Sequence, residues 1–131
     1  MVLAQVTWTP DRLEALRESV QASPFGLAGP LDVLAGAHLY EMTEGGRHAL
    51  LAVRALQLEH GRRLDVVGLA SLGDRLQSAD MLDGIDQLAY IYNSDLVAMC
   101  TKHQHIVRAC QRAGWEATGA VMNKWAPNVR Q

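Results

Sequence analysis

Cysteine is scarce in this chain, with 2 in 131 residues. Two thiols cannot build the multi-bridge framework of a small secreted domain, so both are expected to be reduced. No charge of one sign dominates: 12 Lys and Arg stand against 14 Asp and Glu, for a net charge of −2. The basic residues are spread along the chain, which leaves no electrostatic footprint for nucleic acid. No apolar run reaches the ~18 residues of a membrane span. The opening residues, MVLAQVTWTPDR, lack a basic stretch followed by an apolar core. No secretory signal is read there, and a cytoplasmic location is expected. Internal repeats and low-complexity tracts are absent.

What is present is the balance of one globular domain, 49% apolar and 20% charged residues. The length suits one core rather than two. The domain is expected to occupy residues 1–126, with 127–131 as a polar tail.

The order of elements follows from local signals. VLAQVTW reads as a strand. Thr9-Pro10-Asp11 then starts a helix, with a hydroxyl cap, proline at the first position and an acid in the first turn. Leu13, Leu16 and Val20 give that helix one apolar stripe, and Ser23-Pro24-Phe25-Gly26 ends it. Residues 24–36 should be a loop with one short helical turn. HLYEM, RHALLAVRALQLEHG and RRLDVVGLASLG read as three strands joined at Glu44-Gly45-Gly46 and His60-Gly61. The middle segment alternates only loosely and is rich in helix formers, but the close turns favour strand. A helix capped by Ser78 follows, with Met81, Leu82, Ile85, Leu88, Ala89 and Tyr92 on its apolar face. DLVAMCT is a short buried strand, HIVRACQRAG a helix closed by Gly114, and WEATGAVMNKW a last strand. The fold class is therefore α/β, a single domain with a mixed central sheet flanked by helices.

Cys100, His103, His105 and Cys110 lie close together in sequence. Their spacing suits no common zinc pattern, and helical positions i and i+2 diverge by about 200°, so no metal is expected. Cys100, in VAMC, reads more readily as a small buried hydrophobe than as a nucleophile.

The segment LVAMCTKHQHIVRACQRAGWEATGAVMNK, with Gly114-Trp115 before a final strand, resembles the closing pattern of the GNAT acyltransferase superfamily. That resemblance implies a GNAT-like domain and raises acyl-CoA as a ligand. Active members carry a Gln/Arg-x-x-Gly-x-Gly/Ala loop whose backbone N–H groups hold the CoA pyrophosphate. The matching stretch here is ASLGDRLQSADMLDG. Gly73 and Arg75 are its candidate cofactor contacts, and Asp74, Asp80 and Asp83 set an unfavourable charge pattern there. The superfamily's general-acid tyrosine falls on Cys110, which shares an apolar stripe with Ile106 and Ala113. General-base candidates are Glu41 and Asp65, with Glu59 in the turn between; each is also an ordinary strand-end acid. The closing segment is also similar to that of small GNAT-like proteins of tailed bacteriophages, including internal virion proteins of short-tailed phages, which lack the pyrophosphate loop.

Two functions stay open at this point. One is a GNAT-like protein without CoA chemistry or cofactor, acting through protein partners or self-assembly as a phage structural or accessory component. The other is an acyl-CoA-dependent N-acyltransferase with an atypical loop. Trp125 is a candidate interface anchor in either case.

Overall fold

The computed structural model describes residues 1–17, 29–101 and 103–127. In chain order the elements are β1 (Val2–Val6), α1 (Pro10–Ala15), α2 (Pro30–Val33), β2 (His38–Glu44), β3 (Arg47–Leu58), β4 (Gly61–Leu72), α3 (Ser78–Ile91), β5 (Leu96–Met99) and α4 (Gln104–Arg112). The strands form one sheet in the order β1-β2-β3-β4-β5. Each neighbouring pair from β1 to β4 is antiparallel, and β5 runs parallel to β4. A parallel pair needs a crossover, and α3 supplies it.

Local chemistry explains the joints. At α1 the Thr9 hydroxyl accepts the Arg12 backbone N–H at 3.2 Å, and Pro10 takes the first helical position. Between β2 and β3 the two-residue turn is Gly45-Gly46, both with φ above +50° (57° and 77°), the geometry that favours glycine in a tight hairpin.

The sheet is covered on both faces, and this accounts for the loose alternation of β3. Ala49, Leu50, Leu51, Ala52 and Val53 are all fully buried. A central strand sandwiched between helices buries both its faces, so it reads as an apolar run rather than as alternation. One face gathers Tyr40, Met42, Leu51, Leu64 and Val66 with Met81, Ile85 and Leu88 of α3. The other gathers Leu39, Leu50 and Ala52 with Leu16, Leu34 and Ala37. Gly84 on α3 lies against the Met42 sulfur, and a Cβ there would collide with it. Tyr92, capping the end of α3, meets Tyr40 hydroxyl to hydroxyl at 2.6 Å. Burial, and then this hydrogen bond, push the Tyr92 phenol above its usual range.

The structure departs from the sequence reading at several points. The cap of α3 is Gln77, and Ser78 is the first helical residue. Val20 and the stretch Ser23–Gly26 lie outside the described residues. The larger correction is at the end: WEATGAVMNKW forms no strand. Trp115 packs on the core, but the residues after it are almost all exposed. Val121 and Met122 are 71% and 89% exposed. Consecutive strand residues point to opposite faces, so neither face of this segment is buried. Strand propensity is realised only against a partner and a core, and Ala117, Gly119 and Ala120 bring little side chain to bury. Trp125, read as an exposed anchor, is half-buried.

Candidate functional site

The parallel ladder is short. It joins Arg63–Val66 of β4 to Leu96–Met99 of β5 and stops at the pair Val66–Met99. β4 continues to Leu72 beside β3 alone, while the chain after Met99 turns away into Cys100, Thr101 and α4. The register with β3 shifts at the same level. Ala52 faces Gly68 and Val53 faces Val66, which leaves Val67 as an extra residue in β4. Such a bulge bends its strand and increases the local twist. The bend and the end of the ladder coincide, and between the parting strands lies a cleft of about 600 Å3.

The walls of the cleft come from several elements, with Met81 of α3 among them. Val66–Ser71 of β4 line it with Arg75, Leu76, Gln77 and Ser78, which lead into α3. Met99, Cys100, Thr101, His103, His105 and Ile106 line the β5 side, and Ala15 and Arg47 complete it. At Gly73 the chain turns with φ +65°, a conformation that favours glycine and lets the loop fold back from β4. Arg47 Nη1 donates to the Arg75 backbone carbonyl at 3.1 Å and ties this loop to the start of β3. The His103 and His105 rings stand 5.7 Å apart at 49°.

The electrostatics of the cleft are one-sided. Among the described residues its lining includes Arg47, Arg75, His103 and His105 and no Asp or Glu, although the chain as a whole carries a net charge of −2. Among the described residues neither arginine is in an ion pair. Asp74, Asp80 and Asp83, read as crowding this end of the sheet, are not part of the lining. The sequence places these acids beside the loop, and the turn of α3 decides which of them face it.

The other candidates are placed as follows. Glu41 accepts from His48 Nδ1, or is bridged by its proton, at 3.0 Å, and Thr43 Oγ1 lies 3.1 Å from the same nitrogen. Asp65 is held by Arg63 through two contacts of 2.6 and 3.1 Å, and this pair raises the Arg63 guanidinium above its usual value. Glu59 is exposed in the β3–β4 turn beside His60. None of these three acids lines the cleft. Cys110 is buried on α4, and burial pushes its thiol up. It too lies outside the cleft lining. Cys100, read as a buried hydrophobe, is instead exposed, because the strand ends one residue before it. Gly73 shapes the loop, and of the two cofactor candidates Arg75 lines the cleft.

Arg47, Gln77 and the two histidines were not legible as cleft residues. Arg47 stands at a hairpin turn, and only its contact with the carbonyl of Arg75, 28 residues away, brings it to the cleft. No local signal marked Val67 as a bulge. The described residues contain no group of three or more His, Cys, Asp or Glu able to hold a metal ion. No helix among them is long and apolar enough to cross a membrane.

No protein-family model matches this chain, and no curated protein sequence matches it significantly. Solved structures do match. One is a protein of Thermus thermophilus, 16% identical, with 99% of this chain and all of that one covered and a TM-score of 0.56. A GNAT family acetyltransferase of Staphylococcus aureus subsp. aureus is 9% identical over 96% of this chain and all of its own, with a TM-score of 0.54. An acetyltransferase of Trypanosoma brucei is 12% identical over 95% of this chain and all of its own, also at 0.54. At these identities the likeness is one of fold. The chain is a single small α/β domain of GNAT-like fold, a five-stranded mixed sheet flanked by helices.

Proposed function

We propose that the cleft between β4 and β5 binds an acyl thioester of the CoA type, and that the chain transfers the acyl group to an amine. The observation that carries this reading is the basic cleft at the parting of two parallel strands, with Arg47, Arg75, His103 and His105 in its wall and, among the described residues, no carboxylate. A pantetheine arm is extended and carries two amides, so it suits a strand that has lost its neighbour. Its phosphorylated end suits Arg47 and Arg75, since guanidinium groups bind phosphate oxygens through charge-assisted hydrogen bonds. That GNAT acetyltransferases share the fold raises the prior for acyl transfer without deciding it.

Roles for the chain's own residues follow from position. Arg47 and Arg75 orient the donor. Val66 to Gly68, at the bulge, lie where the ladder opens and a thioester carbonyl would rest. Acyl transfer to an amine needs a group that removes a proton from the nucleophile, and imidazole does this readily near neutral pH. His103 and His105 are the imidazoles in the wall. Glu41, Asp65 and Cys110 are engaged or buried elsewhere and are given no part.

Calorimetry with acetyl-CoA at low salt tests the reading. Micromolar binding that weakens in Arg75→Ala is expected. No binding to the full chain would overturn it. A second reading has one observation in its favour: the acids and the thiol put forward for catalysis all lie outside the cleft. On that reading the chain is a GNAT-like scaffold without acyl transfer, acting through protein contacts as a phage-type virion component. Binding without turnover of any amine acceptor would favour it.

A further inference from the structure

We infer that the exposed segment after α4, residues 116–124, is a self-recognition strand. It pairs antiparallel with the same segment of a second copy of this chain, in the register centred on Ala120. The inference is independent of what the cleft binds.

Every residue from Glu116 to Lys124 is exposed, and Val121 and Met122 are among the most exposed apolar side chains of the described residues. Side chains of an extended chain alternate between two faces. Ala117, Gly119, Val121 and Asn123 fall on one face, and Glu116, Thr118, Ala120, Met122 and Lys124 on the other. The segment contains no proline, and its two charges stand at its ends. It therefore has neither the proline nor the central charge that commonly keep an exposed strand single.

The placement of those two charges selects the occupant. Residues directly opposite each other in an antiparallel pair lie on the same face and interact. With Ala120 on the two-fold axis, Glu116 stands opposite the partner's Lys124, and Lys124 opposite the partner's Glu116. Opposite charges then meet at both ends of the ribbon. A parallel in-register pairing would instead set Glu116 against the partner's Glu116 and Lys124 against the partner's Lys124, which is unfavourable. Among the described residues neither side chain is in an ion pair within its own copy, and Lys124 Nζ makes only an exposed 3.4 Å bond to the neighbouring Trp125 carbonyl. Between the charges Thr118 meets the partner's Met122, and Gly119 leaves room for the partner's Val121. A self-complementary contact of this kind is isologous and closes at two copies. A net charge of −2 per copy opposes it only weakly.

The fold gives the ribbon a support that it needs, because two strands alone are marginal in water. Trp115 packs on the same core as Val97 and Met99 of β5, so the segment leaves the domain beside the last strand of the described sheet. β5 also exposes Leu96. A ribbon laid along β5 of each copy joins the two sheets through main-chain hydrogen bonds.

Sedimentation equilibrium on the full chain should show a monomer–dimer equilibrium with a dissociation constant in the micromolar range at low salt. A chain that stays monomeric at about 0.5 mM would overturn the inference. Glu116→Lys and Lys124→Glu each set like charges opposite one another at both ends of the ribbon. Each should weaken the dimer by at least about tenfold, and the double variant should return to within about threefold of the parent. A dimer indifferent to the single changes, or a double variant no tighter than the singles, would overturn it. Both sites are exposed, so urea midpoints of all three variants should match the parent chain. The register has its own test in a Cys100→Ser background with oxidised glutathione. Ala120→Cys should form an interchain disulfide at least about tenfold faster than Ala117→Cys, whose two copies would lie about 20 Å apart along the ribbon. Equal rates would overturn the register.

Discussion

The two ends of this sheet are built to different standards. From β1 to β4 every strand is laddered to its neighbours, β2 and β3 are joined by a tight glycine turn, and the middle of β3 is buried on both faces. At the other end β5 holds β4 over four residue pairs, the strands part, and the chain after Trp115 lies exposed. The first region concentrates the burial, and the second opens a cleft lined by backbone and basic groups. On the proposed function, stability and binding are thus separated along the sheet, and the border is the bulge at Val67, where β4 belongs to both.

Changes on the two sides of that border should therefore read out differently. The largest effect belongs to the meander. Leu51→Ala removes a fully buried side chain from the centre of β3 and should cost about 2–5 kcal/mol in urea unfolding. A loss below about 1 kcal/mol would contradict the well-packed centre described for this half.

On the cleft side, the double substitution Arg47→Ala and Arg75→Ala should leave urea stability within about 0.5 kcal/mol of the parent. Its affinity for a phosphorylated pantetheine should fall by at least about tenfold. Loss of fold in this variant would show that the loop is part of the core.

A smaller effect is expected at Cys110, buried on α4. Its thiol is raised above an ordinary 9.0 by burial, so the folded state favours the protonated form. That contribution is whole below about pH 9 and is lost as pH rises through the folded value, because the unfolded chain ionises first. The Tyr92 phenol, raised above an ordinary 10.0, has the same sign and acts at still higher pH. Cys110→Ala should therefore flatten the first part of the alkaline decline in unfolding free energy. In the parent chain Cys100, which is exposed, should react with a thiol reagent in the native state, and Cys110 only after denaturation.

The smallest effect is expected at the exposed end. Met122→Ser should change stability by no more than about 0.5 kcal/mol, as for other surface sites. A larger loss in dilute solution would mean that this segment is covered by something.

How legible these regions were in the sequence differs for a physical reason. The hairpin and helix signals were local: Thr9-Pro10, Gly45-Gly46 and Gly114 stand where their conformations are needed, with φ of +94° at Gly114. Hence the order of elements through α4 could be read, along with the GNAT-like class. Each failure involved distance along the chain. WEATGAVMNKW has strand propensity, but no ladder or core was available to it. Cys100 looked buried because its neighbours are apolar, although β5 ends at Met99. Asp74, Asp80 and Asp83 looked like a barrier, although none of them lines the cleft.

By itself, then, the sequence determined which segments through α4 are helices and strands, which face of α3 meets the core, and which class of fold can bury it. Those outcomes depend on periodicity, caps and turns, all of which act within a few residues. The tertiary structure alone decided where β4 leaves β5, that Arg47 reaches the loop of Arg75, and that Arg47, Arg75, His103 and His105 share one cleft wall. Such features arise when side chains far apart in sequence are brought to one place, and no local pattern records which of them will face inward.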